Sequence, residues 1–339
     1  MPNFSNLMVL TGAGFTKNFG GYLSSEMWTQ IFNHPSVQAH DNLRTLLLND
    51  LNFENVYSVV MEDEEHEQFS DEEQDALMTA IENAYRNLDQ QISRYNQESV
   101  GYFPQRNLAK LVHHLSTYSG SERALWFTLN QDIFMERHFH WRATGAPAFQ
   151  ADFYGSRSMQ LTPAPIRLPS PETSQEMLNQ QLDGSVTMHA GPSYIKLHGS
   201  YCWQSWTDRP GMVLGMNKET VIEDEPLLQC YFDLLKSVIQ DGGRKLLIIG
   251  YGFRDIHVNK MLLDGVMSHG LELFVIHPAP PDRFKKAFWE ALEPLSKGAP
   301  KRMWRGLRGY FPYNLHQVFH GNSGADTVAW REIKESFRR

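Results

Sequence analysis

The stretch Lys245-Leu246-Leu247-Ile248-Ile249-Gly250-Tyr251-Gly252-Phe253 decides the fold. Lys245 to Ile249 is a short continuous apolar run, the mark of a strand covered on both faces of a parallel sheet. The glycine turn behind it leads into a helical pattern from about Asp255 to Met267. The same unit recurs outward along the chain. Downstream, Leu271 to Ile276 reads as a strand ending at His277-Pro278. Upstream, a helix over Glu225 to Gln240 precedes it, and Ser193 to Leu197 reads as a strand ending at His198-Gly199-Ser200. Arg123 to Thr128 runs into Leu129-Asn130-Gln131-Asp132 and a short helix near Phe134 to His140. Leu7 to Thr11 ends in Gly12-Ala13-Gly14, followed by a helix with Ser24 and Ser25 as candidate caps. Strand, glycine or polar turn, helix, repeated in this way, specifies an α/β chain with a doubly wound, Rossmann-like parallel sheet.

Between the first two strands the periodicity is helical throughout, with NLRTLLLNDL, DALMTAIENAYRNLDQQI and QRNLAKLVHHLSTY, so an inserted helical subdomain is expected. The predicted organisation is a sheet domain over 1–32 plus 121–280, a helical insertion over 33–120, and a helical C-terminal extension over 281–339. Residues 143–192 hold six prolines and predict an irregular excursion with at most a hairpin.

Composition narrows the function classes. The 339 residues carry a net charge of −8, with 9 basic against 19 acidic residues in 1–150, which argues against bulk nucleic-acid affinity. Residues 61–75, MEDEEHEQFSDEEQD, have nine acidic and no basic side chains; a solvated helix face is the plain reading, a docking surface for a basic partner the other. No apolar run is long enough to span a bilayer and no basic leader precedes the first strand, so a cytoplasmic protein is expected. Two cysteines, Cys202 and Cys230, cannot build a four-cysteine zinc module, and no H-E-x-x-H, G-x-S-x-G or Walker lysine occurs. No metal is expected.

In an open parallel sheet the ligand sits outside the carboxyl ends of the strands. Gly12 and Gly14 would let a diphosphate approach the backbone and Thr16 could add a hydroxyl, although Lys17 stands where the third glycine of G-x-G-x-x-G belongs. Gly250 and Gly252 form a second such turn, and two turns suit a dinucleotide; each could also be a packing device. Asn130 can donate to and accept from ribose hydroxyls, and Asp132 could accept from an amide or simply cap a helix. His198, at a strand end beside a glycine, is placed for general-base chemistry. The pair His113-His114 reads as structural or surface.

The ordered blocks TGAGFT at 11–16, TLNQD at 128–132, KLHGS at 196–200, IGYGF at 249–253 and FVIHP at 274–278 resemble the sirtuin-like family, and most of all its bacterial antiphage-defence branch. The resemblance implies NAD+ bound by Gly12, Ala13, Gly14 and Thr16, with Asn130 and Asp132 at the nicotinamide ribose and carboxamide. It implies His198 as the base and Gly250 and Gly252 along the diphosphate and adenosine half. His277 stands where sirtuins often place an asparagine for the adenosine ribose. Two departures matter: the zinc module is missing, and Gly20-Gly21-Tyr22-Leu23 replaces the family's G-I-P-D-F-R loop, both of which frame the acyl-lysine cleft.

The expectation is therefore an NAD+ hydrolase that breaks the nicotinamide–ribose bond, gated so as not to kill its host. The resemblance implies a homo-oligomer or a complex with a neighbouring defence protein such as a ring ATPase, a short Argonaute or a nucleotide pyrophosphatase. The alternatives are an NAD-dependent deacylase or ADP-ribosyltransferase, and a non-catalytic sensor of NAD+ or ADP-ribose.

Overall fold

The computed structural model describes residues 4–61, 68–94, 105–118, 123–139, 166–183, 192–207, 209–319 and 325–338. In chain order these give β1 (Phe4–Thr11), α1 (Ala13–Lys17), α2 (Ser24–Phe32), α3 (Pro35–Gln38), α4 (Asp41–Asn49), α5 (Phe53–Met61), α6 (Asp71–Arg94), α7 (Gln105–Tyr118), β2 (Arg123–Thr128) and α8 (Phe134–Phe139). The second half gives β3 (Ile166–Arg167), α9 (Pro171–Asp183), β4 (Ser193–Lys196), β5 (Gly199–Gln204), β6 (Pro210–Met212), α10 (Lys218–Asp224), α11 (Pro226–Gln240) and β7 (Lys245–Ile249). It closes with α12 (Ile256–Ser268), β8 (Glu272–Ile276), α13 (Pro281–Leu292), α14 (Ala299–Trp304), β9 (Leu307–Phe311), α15 (Leu315–Val318) and α16 (Val328–Ser336).

The main sheet has the order β4-β2-β1-β7-β8-β9 and every pairing in it is parallel. This is the doubly wound arrangement expected. Strand order reverses between β1 and β7, which places the ligand crevice at their carboxyl ends. Apolar side chains on both faces explain why these two strands are central: Leu7 to Leu10 and Leu246 to Ile249 are all buried. The strand ends are also level. Thr11 pairs with Thr128 and Ile249, Thr128 with Lys196, Ile249 with Ile276, and Ile276 with Phe311. Asn130 and His198 therefore each lie two residues beyond adjacent, paired strand ends.

The helical insertion forms as its periodicity predicts. Along α6, Leu77, Ala80, Ile81, Ala84, Leu88 and Ile92 are buried at i, i+3, i+4 spacing and face α2, α3 and α5. Its start is a reciprocal cap: the Glu73 amide donates to Ser70 Oγ at 3.3 Å and Glu73 Oε2 accepts from the Ser70 amide at 2.9 Å. Asp71, Glu72 and Glu73 thus occupy the first turn, where the helix dipole favours negative charge. The described end of the acidic run is a helix start; 62–67 lie outside the described residues. α7 packs directly on β1 and β2.

Two expectations are corrected, and two features that the sequence reading did not address appear beside them. The 143–192 stretch contains α9, whose Pro171 sits in the first turn, where the missing amide costs nothing; most of the remainder lies outside the described residues. The C-terminal extension is not purely helical, because β9 adds a sixth strand at the sheet edge. His198 is followed by a hairpin, β5 and β6, which pairs with β3 in a second small sheet. The helix read over 225–240 is preceded by α10, with a break at Glu225 before Pro226.

Candidate active site

The two glycine turns meet in the crevice. The Gly12 amide donates to Ile249 O at 3.1 Å and the Gly14 amide to Gly250 O at 2.9 Å. A Cβ on Gly12 or Gly14 would come within 2.9 Å of backbone atoms of Gly250 or Tyr251. One on Gly250, whose φ is +66°, would lie 2.2 Å from Phe15 N. These three glycines are therefore demanded by backbone-on-backbone packing between β1 and β7, and the Gly12 and Gly14 amides are already engaged. Ala13 and Gly252 are exposed, and a Cβ on Gly252 would meet only the Arg254 side chain at 3.9 Å. Those two positions offer backbone to a ligand.

Beside the first turn, Asn130 Nδ2 donates to Thr16 Oγ1 at 3.3 Å, and the Asn130 amide donates to Thr128 Oγ1 at 3.1 Å. Thr16 Oγ1 reaches Ala13 O at 3.3 Å and hydrogen-bonds the Asp132 carboxylate. Thr16 and, more than a hundred residues further along the chain, Asn130 and Asp132 are thus one buried polar group. Asp132 Oδ1 also accepts from the Phe134 amide at 3.0 Å, so it supports the start of α8 as well. Burial raises its pKa above the ordinary carboxylate value, against the pull of the Lys196 ammonium.

Lys196, from the same block as His198, has a structural task. Its ammonium pairs with Glu136 Oε1 at 2.8 Å and donates to Asp132 O, and both side chains of the pair are 1% exposed. Gly199, with φ +68° and a Cβ position 2.0 Å from Gly211 O, turns the chain sharply into β5. Val213 donates to His198 O at 3.0 Å. The backbone of His198 is thereby held from both sides.

The His198 side chain is buried and its Nε2 lies 2.9 Å from Nε2 of His257, in the first turn of α12. Phe232 of α11 packs against both imidazoles, at 6.4 and 5.4 Å between centroids. Burial holds the His198 pKa well below its ordinary value and brings that of His257 down to about 4, with Asp255 acting in the opposite direction on each. Both rings are neutral at pH 7. Asp255 is the N-cap residue of α12 but makes no capping bond. Its Oδ1 accepts instead from Lys218 Nζ at 2.8 Å, and the same ammonium lies 2.9 Å from Glu54 Oε2 on α5. Burial pushes the Asp255 carboxyl up, but Lys218 and the two imidazoles outweigh it and hold it down to about 2.

The backbone leading to this group is locked. Phe253 takes φ +57°, a left-handed conformation unusual for a bulky residue. Asn259 Nδ2 donates to Phe253 O at 2.6 Å, and Tyr251 Oη donates to Asn259 Oδ1 at 2.9 Å. His257, Asp255, Lys218 and Glu54 were not singled out from the sequence. The available signal was an Asp-x-His directly behind a glycine turn, at a helix start.

His198, Asp255 and His257 place one potential ligand atom each within 4.8 Å of one another, a two-histidine, one-carboxylate donor set. The Lys218 ammonium on Asp255 puts a positive charge against it, which opposes a divalent cation. His277 directly follows β8, one residue past Ile276, which pairs with Ile249. Its Nδ1 accepts from the Ala279 amide at 3.1 Å and its ring packs on Phe284 at 5.3 Å between centroids. His114 packs against Trp330, Tyr118 and Phe337. The cavity lined by Phe4, Asn6, His114, Tyr118 and Arg244 lies at the opposite, amino end of the strands, away from these groups.

A family model described as a SIR2-like domain matches residues 124–293, half of the chain. The matched span holds Asn130, Asp132, His198, both glycines of the second turn and His257; the first glycine turn and the helical insertion precede it. No curated protein is similar enough to the chain to match it.

Proposed function

The chain belongs to the SIR2-like family, whose domains are NAD-using enzymes, and from that premise we propose that it hydrolyses NAD+ at the nicotinamide–ribose bond. The observation that carries this reading is the placement, past the adjacent paired ends of β2 and β4, of the Thr16, Asn130 and Asp132 group and of a buried imidazole that is neutral at pH 7. Breaking the bond creates an oxocarbenium-like centre at C1′ of the ribose and needs a water held against it. Asn130 orients the ribose and that water, Asp132 takes the carboxamide side of nicotinamide, and His198 accepts the proton of the water. Burial keeps the His198 imidazole unprotonated at neutral pH, which leaves it a lone pair with which to accept that proton. Ala13 and Gly252 present exposed backbone to the diphosphate half.

Deacylation fits less well. Cys202 and Cys230 are buried in β5 and α11, and burial pushes both thiols up to about 11, so neither is poised as a thiolate ligand. With only these two cysteines the chain cannot build the module that frames an acyl-lysine peptide. The test is nicotinamide release from NAD+ by the purified chain in buffer, with no peptide or protein acceptor. His198→Ala and Asn130→Ala should each slow release about a hundredfold or more while remaining folded. Release only in the presence of an acceptor would replace the hydrolase by a transferase.

A free NAD+ hydrolase is lethal to its own cell, so we further propose a gated effector of antiphage defence, acting in the cytoplasm as a homo-oligomer or with a neighbouring defence protein. The helical insertion is the proposed contact surface, since Glu54 on α5 reaches the catalytic group through Lys218. Among the described residues no helix is long and apolar enough to cross a membrane. A purified monomer with full activity would remove the gating.

A further inference from the structure

We propose that His257 is the proton acceptor behind His198, the two imidazoles forming a relay that carries the proton of the attacking water out of the buried site. The inference rests on the hydrolase reading. Its basis is the 2.9 Å separation of the two Nε2 atoms and the difference in burial between the rings: His198 is 3% exposed, whereas His257 sits partly exposed at the start of α12. A hydrogen bond between two imidazole nitrogens needs one proton and one lone pair. If His257 donates, neutral His198 carries its own proton on Nδ1 and has no lone pair left for water. If His198 donates from Nε2, its Nδ1 is open and it is a base. Only the second arrangement serves the reaction.

The step then balances. The water oxygen bonds to C1′ as the C1′–N bond breaks, and its electron pair goes to the nicotinamide nitrogen. The water proton passes to His198 Nδ1, and the proton on His198 Nε2 moves to Nε2 of His257. His257 releases its Nδ1 proton to solvent, so that NAD+ and water become nicotinamide, ADP-ribose and a proton. The starting tautomers return by exchange with water after product release.

Asp255 makes His257 able to hold the proton in passing. Its carboxylate lies within 4.8 Å of the ligating nitrogens of both rings and is turned away from the capping task its position would give it. The charged groups around His257 are Asp255, Lys218, Glu219 and Lys260; Glu54 and Arg254 stand behind Lys218. No other imidazole is bonded to His198 among the described residues.

The test uses the full chain with His257→Gln, whose amide can keep a hydrogen bond but cannot pass a proton, and His257→Ala, which leaves room for added imidazole. The turnover number and KM for NAD+ are measured across pH with and without imidazole, and the ring nitrogens of the parent are followed by 15N NMR. The expected result is a turnover number at least about tenfold lower in both variants with KM within about twofold. Imidazole should restore the alanine variant alone, and the parent spectrum should show His198 protonated on Nε2. Parental turnover in the glutamine variant, or a loss in the alanine variant that imidazole does not restore, overturns the relay. If the parent releases no nicotinamide, the hydrolase reading fails and the NMR arm decides the pair by itself: a His198 protonated on Nδ1 overturns the relay, and one protonated on Nε2 supports it.

Discussion

Lys218 Nζ donates to Asp255 Oδ1 at 2.8 Å, joining the helix that follows the hairpin to the N-cap of α12. Between Glu54 and Asp255 the ammonium is the positive centre of a mostly buried triad, and it also lowers the pKa of the His198 and His257 imidazoles. Lys218→Met removes that charge and leaves two carboxylates facing each other. The pKa values of His198 and His257 should then rise, because Asp255 is no longer offset. The acid limb of the turnover–pH curve is expected to move to higher pH, and the melting temperature to fall with a loss of about 3 kcal/mol. A curve that shifts to lower pH would contradict this electrostatic account.

The Lys196–Glu136 pair has both side chains 1% exposed, so removing one partner strands a charge in the core. Glu136→Leu or Lys196→Met alone should cost about 3–5 kcal/mol in chemical denaturation. The double variant should recover most of that loss, since two apolar groups of similar volume avoid the desolvation penalty. Recovery should be incomplete, because Asp132 O loses the donor it has in Lys196. A double variant as unstable as the sum of the singles would show that the two do not interact.

The strand ends of this fold were legible because each buried strand is an unbroken apolar run that stops at a glycine or a polar block, as at Ile249-Gly250 and Thr128-Leu129-Asn130. β9 was not, since an edge strand needs apolar cover on fewer positions, and LRGYF buries fully only Phe311. α9 was hidden by Pro169 and Pro171, which read as breakers although a proline in the first turn is harmless. Of the site, the strand-end residues were visible and their partners were not. Glu54, Lys218 and Asp255 meet across 164 and 37 residues of chain, and no local pattern encodes such a contact.

Gly250 and Gly252 belong to one turn but answer to different constraints. Gly250→Ala would need φ +66° and would drive a methyl to 2.2 Å from Phe15 N, so the β1 and β7 turns must separate. Loss of the folded state, or a destabilisation of about 3 kcal/mol or more, is expected. Gly252→Ala meets only the Arg254 side chain, at an ordinary 3.9 Å, and should leave the melting temperature within a degree or two, since surface changes cost about 0.5 kcal/mol or less. Its effect should appear in KM for NAD+ if the exposed backbone there carries the diphosphate. Thermal melts and steady-state kinetics on the two variants separate the packing glycine from the ligand-facing one.

Acid should destabilise the protein through its buried histidines before it does so through its carboxylates. Burial takes His114 and His257 from 6.5 down to about 4, and His198 lies well below 6.5 for the same reason. A histidine with a depressed folded-state pKa binds its proton more readily when unfolded, so its penalty begins as pH falls through 6.5 and grows until about 4. At these rings the unfolded chain takes up more protons in that window, so their contribution to stability declines as pH drops. Asp255 adds its share lower down, where its contribution is lost between 3.8 and about 2. Urea midpoints measured from pH 8 to pH 4 should be flat at the top and fall below about pH 6.5. His114→Phe keeps an aromatic ring against Trp330 and removes the proton site, so its curve should fall less steeply than the parent's. A midpoint that rises towards pH 4.5 would mean that these rings gain, rather than lose, favourable interactions on protonation.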